Sequence, residues 1–235
     1  MTITKRILAA MALCLAMLML CSCGTAATDT EAEQTEAPVT SEATEAPAAT
    51  EAPAATETPA EATEQGEKGQ ITHYAEIDIA DYGTITVALY GNDAPITVAN
   101  FVKLANQGFY NGLTFHRIMS GFMMQGGDPN GNGTGGSDET IKGEFSANGV
   151  ENTLSHTRGA ISMARSSAYD SASSQFFIMH QDYTGLDGMY AVFGYVTDGI
   201  DIVDAICTSA QPTDNNGTIP ADEQPVINSI TVREA

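Results

Sequence analysis

Hydrophobic positions along this 235-residue chain fall into three patterns that do not blend into one another. Ile7 to Leu20 is an unbroken apolar run of fourteen residues behind Lys5 and Arg6. Residues 24–70 carry almost no large apolar side chain. There TEAP recurs at Thr35–Pro38, Thr44–Pro47 and Thr50–Pro53, with TETP at Thr56–Pro59. From Ile71 onward apolar residues alternate or recur at helical spacing, the patterns of strands and helices with one buried face. Thr84 to Leu89 alternates, with Ile85, Val87 and Leu89 on one face, and His73–Ala80 precedes it across the turn Asp81-Tyr82-Gly83. Further short strands are predicted at Phe115–Met119, Phe122–Gln125, Ala160–Ala164, Gln175–Met179, Val192–Val196 and Ile227–Arg233. The first of two predicted helices opens at Pro95, repeats Val98, Phe101, Val102 and Ala105 at i, i+3, i+4 and i+7, and ends at Gly108. The second, Ile200 to Thr208, places Ile202, Val203 and Ile206 on one side. Many evenly spread strands with two helices predict a mainly β fold, a closed antiparallel barrel rather than an α/β sheet.

The three patterns imply three parts. Residues 1–22 read as a signal peptide: the apolar run is short for a membrane span, which needs about 20 residues, and right for a signal core. Its end, Leu20-Cys21-Ser22-Cys23, resembles the lipobox of bacterial lipoproteins. That resemblance implies lipidation of Cys23 and a membrane anchor on the extracytoplasmic face. The alternative is ordinary cleavage that leaves Cys23 a free thiol. Residues 23–70 read as a tether. From residue 24 it holds eleven acids against Lys68 alone, and it has too little apolar surface to offset its ordering entropy, so it is expected to be disordered. Residues 71–235, roughly 165 of them, suffice for one well-buried core.

Charge and cysteines narrow the function. Thirty acids against nine bases, a net −21, exclude nucleic-acid binding through a basic surface. Cys14, Cys21 and Cys23 precede the folded part and only Cys207 lies within it, which excludes a disulfide framework there. Cys207 reads as a buried small hydrophobe and His156 as a satisfied structural histidine. His73, His116, His156 and His180 have no metal-ligand spacing, and neither a metal nor another cofactor is predicted. The glycine-rich Gly126–Gly136 lacks the lysine of a phosphate-binding loop, and Ser162 and the Ser166–Ser174 cluster have no adjacent base, so a hydrolase is disfavoured.

One segment stands out chemically. In Phe115-His116-Arg117-Ile118-Met119-Ser120-Gly121-Phe122-Met123-Met124-Gln125-Gly126-Gly127-Asp128 a guanidinium sits inside an apolar run, where charges are rarely found without a partner. From this motif alone, a structural ion pair or the polar face of a half-exposed strand is as open as a functional role. A second segment joins it: Gly159-Ala160-Ile161-Ser162-Met163-Ala164-Arg165, then Ser173-Ser174-Gln175-Phe176-Phe177-Ile178, Leu186-Asp187-Gly188 and Val192-Phe193-Gly194. Taken together these motifs resemble the cyclophilin family of peptidyl-prolyl isomerases, over about Tyr74 to Arg233, and specifically its bacterial single-domain branch.

The resemblance implies an eight-stranded barrel capped by two helices, with a substrate groove on its outer surface. It implies Arg117 as the catalytic guanidinium, with Gln125 beside it, and Phe122, Met123, Phe177 and Leu186 as the pocket for the proline ring. Ala164 and Arg165 would flank the peptide preceding proline, Gln175 the same wall, and His116 and Tyr190 would complete the substrate-binding set. The sequence departs from many eukaryotic members at Gly185, where they have Trp, at Tyr190, where they have His, and at Arg165, where they have Asn. The missing Trp predicts weak cyclosporin binding, with Tyr190 the residue expected to refill the space.

The chemistry such residues would serve needs no nucleophile or cofactor. An Xaa-Pro bond isomerises slowly because amide resonance imposes a barrier of about 18–20 kcal/mol. An apolar cleft can hold the ring while a fixed donor stabilises the twisted amide, whose nitrogen has become more basic. The expected partners are proline-containing unfolded or secreted polypeptides, and the expected state is a monomer. A proline-peptide-binding holdase is the alternative, and a purely structural envelope module a weaker one.

Overall fold

The computed structural model describes residues 69–235; the expected signal peptide, Cys23 and the expected tether through residue 68 lie outside them. The chain divides into two units, Met1–Thr58 and Pro59–Ala235, and the described residues belong to the second. Among them eight strands make one antiparallel sheet: β1 (His73–Ile79), β2 (Gly83–Leu89), β3 (Thr114–Met119), β4 (Met123–Asp128), β5 (Ala160–Met163), β6 (Phe176–Met179), β7 (Ala191–Asp198) and β8 (Ile227–Glu234). Their order is β3-β4-β6-β5-β7-β2-β1-β8. Two α-helices accompany them, α1 (Pro95–Asn106) and α2 (Ile200–Ser209). Strand β4 starts at Met123, one residue later than the alternation predicts, because Phe122 belongs to the turn that reverses the chain after β3, its N–H bonded to Met119 O at 3.0 Å.

The expected closed barrel is corrected to an open, half-barrel sheet. Strands β3 and β8 are its two edges, and no ladder joins them. The seam is instead spanned by isolated bridges, Thr114–Val226 and Arg117–Thr218, and by Phe115 N–H bonding Pro225 O at 3.0 Å. The segment that runs along β3 contains Pro220 and Pro225, which lack the N–H a ladder requires, so pairing there is intermittent.

Alternation along the strands sorts side chains into two apolar clusters. Ile77, Ile85, Val87, Met124, Ile161, Phe176, Ile178 and Phe193 point into the main core. There α1 contributes Phe101, whose ring meets Tyr110, Phe176 and Phe193 at centroid distances of 5.3–5.6 Å. Helix α2 contributes Val203, Ile206 and Cys207. The next residue along each strand points the other way. Met123, Ala160, Phe177, Met179 and Val192 form a second cluster, against which Phe122, Ala164, Leu186 and Tyr190 pack. As expected, Met123 and Met124 lie on opposite faces and Cys207 is buried, which pushes its thiol pKa up to about 12.

Candidate active site

Strand register assembles the site. Arg117 on β3 pairs with Gln125 on β4, Gln125 with Phe177 on β6, and Phe177 with Ser162 on β5. Side chains at paired positions share a face, so one cross-strand row carries the cation, the amide and the aromatic ring. Arg117 lies at one end of this row. Its Nε–H bonds Asn216 O at 2.7 Å, one Nη1–H reaches Gln125 Oε1 at 3.2 Å, and Nη2 meets the Met119 sulfur at 3.3 Å. Among the described residues no carboxylate pairs with it. Burial lowers its pKa from the ordinary arginine value, opposed by Tyr190 and Asp214, and a guanidinium at such pKa values stays charged. The structural ion pair left open above is therefore not found at Arg117 among the described residues.

In front of the row is a cavity of about 170 Å³. Phe122, Met123, Phe177 and Leu186 give it apolar walls, and Arg117 and Gln125 give it donors on one side. Ala164, Arg165 and Tyr190 complete it. A second cavity, of about 360 Å³, opens beyond Gln125, Ala164 and Arg165, between residues 133–137 and 164–175. Gln175 lines that one rather than the first. Its Oε1 accepts from Gln125 Nε2 at 2.9 Å and its own Nε2 donates to Gly135 O at 2.7 Å, so it holds Gln125 from behind. Arg165 stands between the two cavities with its guanidinium over Phe145, Tyr169 and Tyr190, at 5.0, 5.0 and 4.6 Å from the ring centroids.

Three expectations change on contact with the geometry. First, Ser162 does have a neighbouring base. His156 Nε2 is 3.0 Å from its hydroxyl and His156 Nδ1 is 2.8 Å from Asp187 Oδ1. A six-residue excursion folds the histidine back under β5, a contact that no local motif signals. Both Ser162 and His156 are fully buried, so the trio lacks access to any substrate and works structurally. Its ring stacks on Phe177 at 5.8 Å and 12°, supporting the pocket wall from below. Burial lowers the His156 pKa, which Asp187 opposes, and keeps the ring neutral at physiological pH.

Second, His116 does not reach the groove. It is buried, both ring nitrogens lack a hydrogen-bond partner, and it faces Gly133. It is the immediate neighbour of Arg117 on β3, and adjacent strand residues face opposite ways, so it points away from the row that Arg117 joins. Burial lowers its pKa, with Asp128 opposing.

Third, the space at Gly185 is covered by Tyr183 and not by Tyr190. A Cβ at Gly185 would lie 3.3 Å from Tyr183 Cε1. The Tyr183 ring packs edge-on against Phe122 at 5.2 Å, while Tyr190 packs edge-on against Phe177 at 5.9 Å. The sequence offered one cue to Tyr183, an aromatic residue two positions from a wall glycine, but not the direction in which it folds. Another unforeseen residue is His180, whose Nδ1 accepts from Gly121 N–H at 2.8 Å and whose N–H bonds Phe122 O at 2.9 Å. It fixes the turn that carries Phe122.

The comparisons with known proteins agree with this geometry. Residues 74–233 match the family described as cyclophilin type peptidyl-prolyl cis-trans isomerase/CLD. Peptidyl-prolyl cis-trans isomerase B of Bacillus subtilis is 50% identical over 123 residues, 52% of this chain and 82% of that protein. A peptidyl-prolyl cis-trans isomerase of Helicobacter pylori is 46% identical over 137 residues, 57% of this chain and 81% of that one. A crystal structure of a Cryptosporidium parvum cyclophilin type peptidyl-prolyl cis-trans isomerase, in the presence of the dipeptide Ala-Pro, superposes with a TM-score of 0.61 at 28% identity. That match covers 69% of this chain and 99% of the other. The chain belongs to the cyclophilin family and is a peptidyl-prolyl cis-trans isomerase.

Proposed function

We propose that this isomerase turns over Xaa-Pro bonds in secreted or envelope polypeptides from a lipid anchor at Cys23 on the extracytoplasmic side of the membrane. The observation that carries the catalytic part is the Arg117 guanidinium, without a carboxylate partner among the described residues and aimed by Asn216 O and Gln125 along one side of the cavity of about 170 Å³ that Phe122, Met123, Phe177 and Leu186 wall. Phe122, Met123, Phe177 and Leu186 desolvate the ring. Arg117 donates toward the prolyl nitrogen as it loses conjugation and gains a lone pair. That interaction is stronger in the twisted state than in either planar isomer, which is the condition for raising the rate. Gln125, held by Gln175, orients the guanidinium and bonds the peptide backbone. Tyr190 and Arg165 contact the chain on the side of the second cavity. The Cryptosporidium relative crystallised with Ala-Pro supports a proline-containing ligand for this groove.

The address rests on the lipobox-like Leu20-Cys21-Ser22-Cys23 and the long acidic segment after it. An anchor of more than one acyl chain would hold stably, at about 0.8 kcal/mol per buried CH₂. Two measurements test the proposal. Substoichiometric full-length chain should accelerate the proline-limited refolding of a secreted protein through many turnovers. Acceleration only at one chain per client would point to a holdase instead. Metabolic labelling with a fatty acid should mark the wild-type chain and not Cys23→Ser; an unlabelled wild type removes the anchor.

A further inference from the structure

Arg117 reaches the groove from an edge strand, and the outer side of that strand is held by a loop that arrives about a hundred residues later. Ile118 N–H bonds Gly217 O at 2.8 Å, and Ile219 N–H bonds His116 O at 3.0 Å. Immediately before the first clip lies the Asn216 carbonyl that takes the Arg117 Nε–H at 2.7 Å, the shortest polar contact the guanidinium makes. It is a backbone acceptor, so its direction depends on the shape of the turn and not on the side chain at 216.

One residue sets that shape. Asp214 Oδ1 accepts from Asn216 N–H at 2.9 Å and Thr218 N–H at 3.0 Å, and Oδ2 accepts from the Thr218 hydroxyl at 2.9 Å. The turn is closed further by Thr213 N–H on Thr218 O at 2.9 Å and Gly217 N–H on Asp214 O at 3.2 Å. Gly217 completes it at φ +87°, where a Cβ would sit 2.5 Å from Met119 Cγ and 2.7 Å from Ile118 O. Asp214 itself lines neither groove cavity.

We propose that Asp214 is a positioning residue for Arg117, acting through the Asn216 carbonyl. The inference rests on the reading of Arg117 as catalytic. The Thr218 N–H and hydroxyl hold the Asp214 carboxyl below its ordinary pKa, so all three of its acceptor bonds persist at neutral pH. Without them the 214–218 turn loses its internal frame and Asn216 O loses its direction. The guanidinium then points at the twisted amide in a smaller fraction of bound complexes. The pocket that grips the ring, made by β4, β6 and Leu186, stays as it was. The loss therefore falls on kcat and spares KM.

The test is line-shape analysis of cis/trans exchange in an Ala-Pro tetrapeptide with full-length wild type, Asp214→Ala, Asp214→Asn, Arg117→Ala and the Arg117→Ala/Asp214→Ala double variant. Misalignment by a fraction of an ångström predicts that Asp214→Ala lowers kcat about three- to tenfold with KM within about twofold of wild type. Asp214→Asn keeps the Oδ1 acceptor and should recover most of the rate. In the Arg117→Ala background the Asp214 substitution should change nothing, since there is no guanidinium left to aim. Gly217→Ala, which deforms the same turn by a different route, should reproduce the kcat loss. The proposal is overturned if Asp214→Ala matches wild type, or if it costs the same factor with and without Arg117. It is also overturned if Asn is as damaging as Ala. Full activity of Arg117→Ala itself would instead remove the catalytic reading on which the inference stands.

Discussion

Phe176 and Phe177 are neighbours on β6, alike in size and both almost completely buried, and they do different work. Phe176 points into the main core, where it touches Phe101, Tyr110 and Phe115 at 5.6–5.9 Å. Phe177 points out, with His156 stacked behind it, Tyr190 at its edge and the groove in front. The same division holds for Met124 and Met123 on β4. A strand can serve both ends because its side-chain period is two: one face is filled by the chain itself, the other is left for a guest. The outer face is thus a second, smaller core with a gap in it. The comparison predicts that substitutions one residue apart should separate stability from activity.

Phe176→Ala should have the largest effect. Removing a ring from a packed core costs about 3–5 kcal/mol, a large part of the 5–15 kcal/mol that holds a typical domain together. Activity should be lost only as the protein unfolds. Phe177→Ala should destabilise less, because one side of the ring already faces the cavity, and should raise KM in a protein still folded at 25 °C. Denaturant titrations of both variants beside exchange assays measure the contrast. Equal stability losses with equal KM would erase the distinction between the faces.

Arg117→Ala comes next and should invert that pattern. Removing a donor that acts in the transition state typically costs about 10²–10³ in rate. The side chain is half-buried and contributes little apolar packing, so the melting temperature should barely move. Lys should rescue poorly: a point charge cannot engage Asn216 O, Gln125 and the substrate at once as a planar fork does. A wild-type rate in Arg117→Ala would disqualify the guanidinium as the catalyst.

Acid should act on the supports of the outer face. His156 and His116 both have pKa values lowered by burial from the ordinary 6.5, so the unfolded chain binds protons that the folded one refuses. The unfolded state then holds more protons as pH falls through 6.5, and stability must fall with it until the lowered folded values are passed. Asp187 and Asp128 act in the same direction at lower pH. Burial alone would raise them, but hydrogen bonds from Ser155 and His156, and from Asn130, Asn132 and Gly133, outweigh it. Their contribution is present above the ordinary carboxylate range and lost as pH falls through the lowered values. The melting temperature should therefore decline from about pH 6.5 downward, at about 2–4 °C for each kcal/mol lost. His156→Gln should flatten the upper part of that decline. A melting temperature independent of pH between 7 and 5 would contradict the neutral buried histidines.

How much of this was readable beforehand follows the range of each interaction. All eight strands and both helices follow from apolar spacing of two or of about 3.6, which is local information. The opposite facing of Met123 and Met124 follows from the same rule. Sheet closure has no local signal because it depends on Pro220 and Pro225 lying along β3, a pairing across about a hundred residues. The resemblance puts His116 in the groove, whereas alternation on β3 sets it on the face opposite its neighbour Arg117, and the structure follows alternation. Ser162 found its base through a loop, and His180 acts on the distant Gly121 N–H, for which a sequence carries no pattern; Asp214-Asn215-Asn216-Gly217 marks a turn but not the strand that the turn serves. The groove residues Phe122, Met123, Gln125, Phe177 and Leu186 were legible only because several motifs resembled one family in order.

The wall at Gly185 gives the smallest effect and the finest comparison, between two tyrosines. Tyr190 is fixed from behind by Phe177 and Arg165, whereas Tyr183 is about half exposed and leans on Phe122 alone. An aromatic pair adds about 0.5–1.5 kcal/mol beyond its buried area, so Tyr183→Ala should raise KM for short peptides by no more than about tenfold and leave kcat nearly unchanged. Gly185→Trp has the room it needs only if Tyr183 yields, since even a Cβ at 185 stands 3.3 Å from that ring. The single Trp variant should therefore gain little cyclosporin affinity, and Tyr183→Ala/Gly185→Trp should gain distinctly more. Calorimetric titration of the four proteins decides it. If Gly185→Trp alone binds as tightly as the double variant, Tyr183 does not occupy the wall. If Tyr183→Ala alone abolishes peptide binding, the ring is part of the proline pocket itself rather than its outer rim.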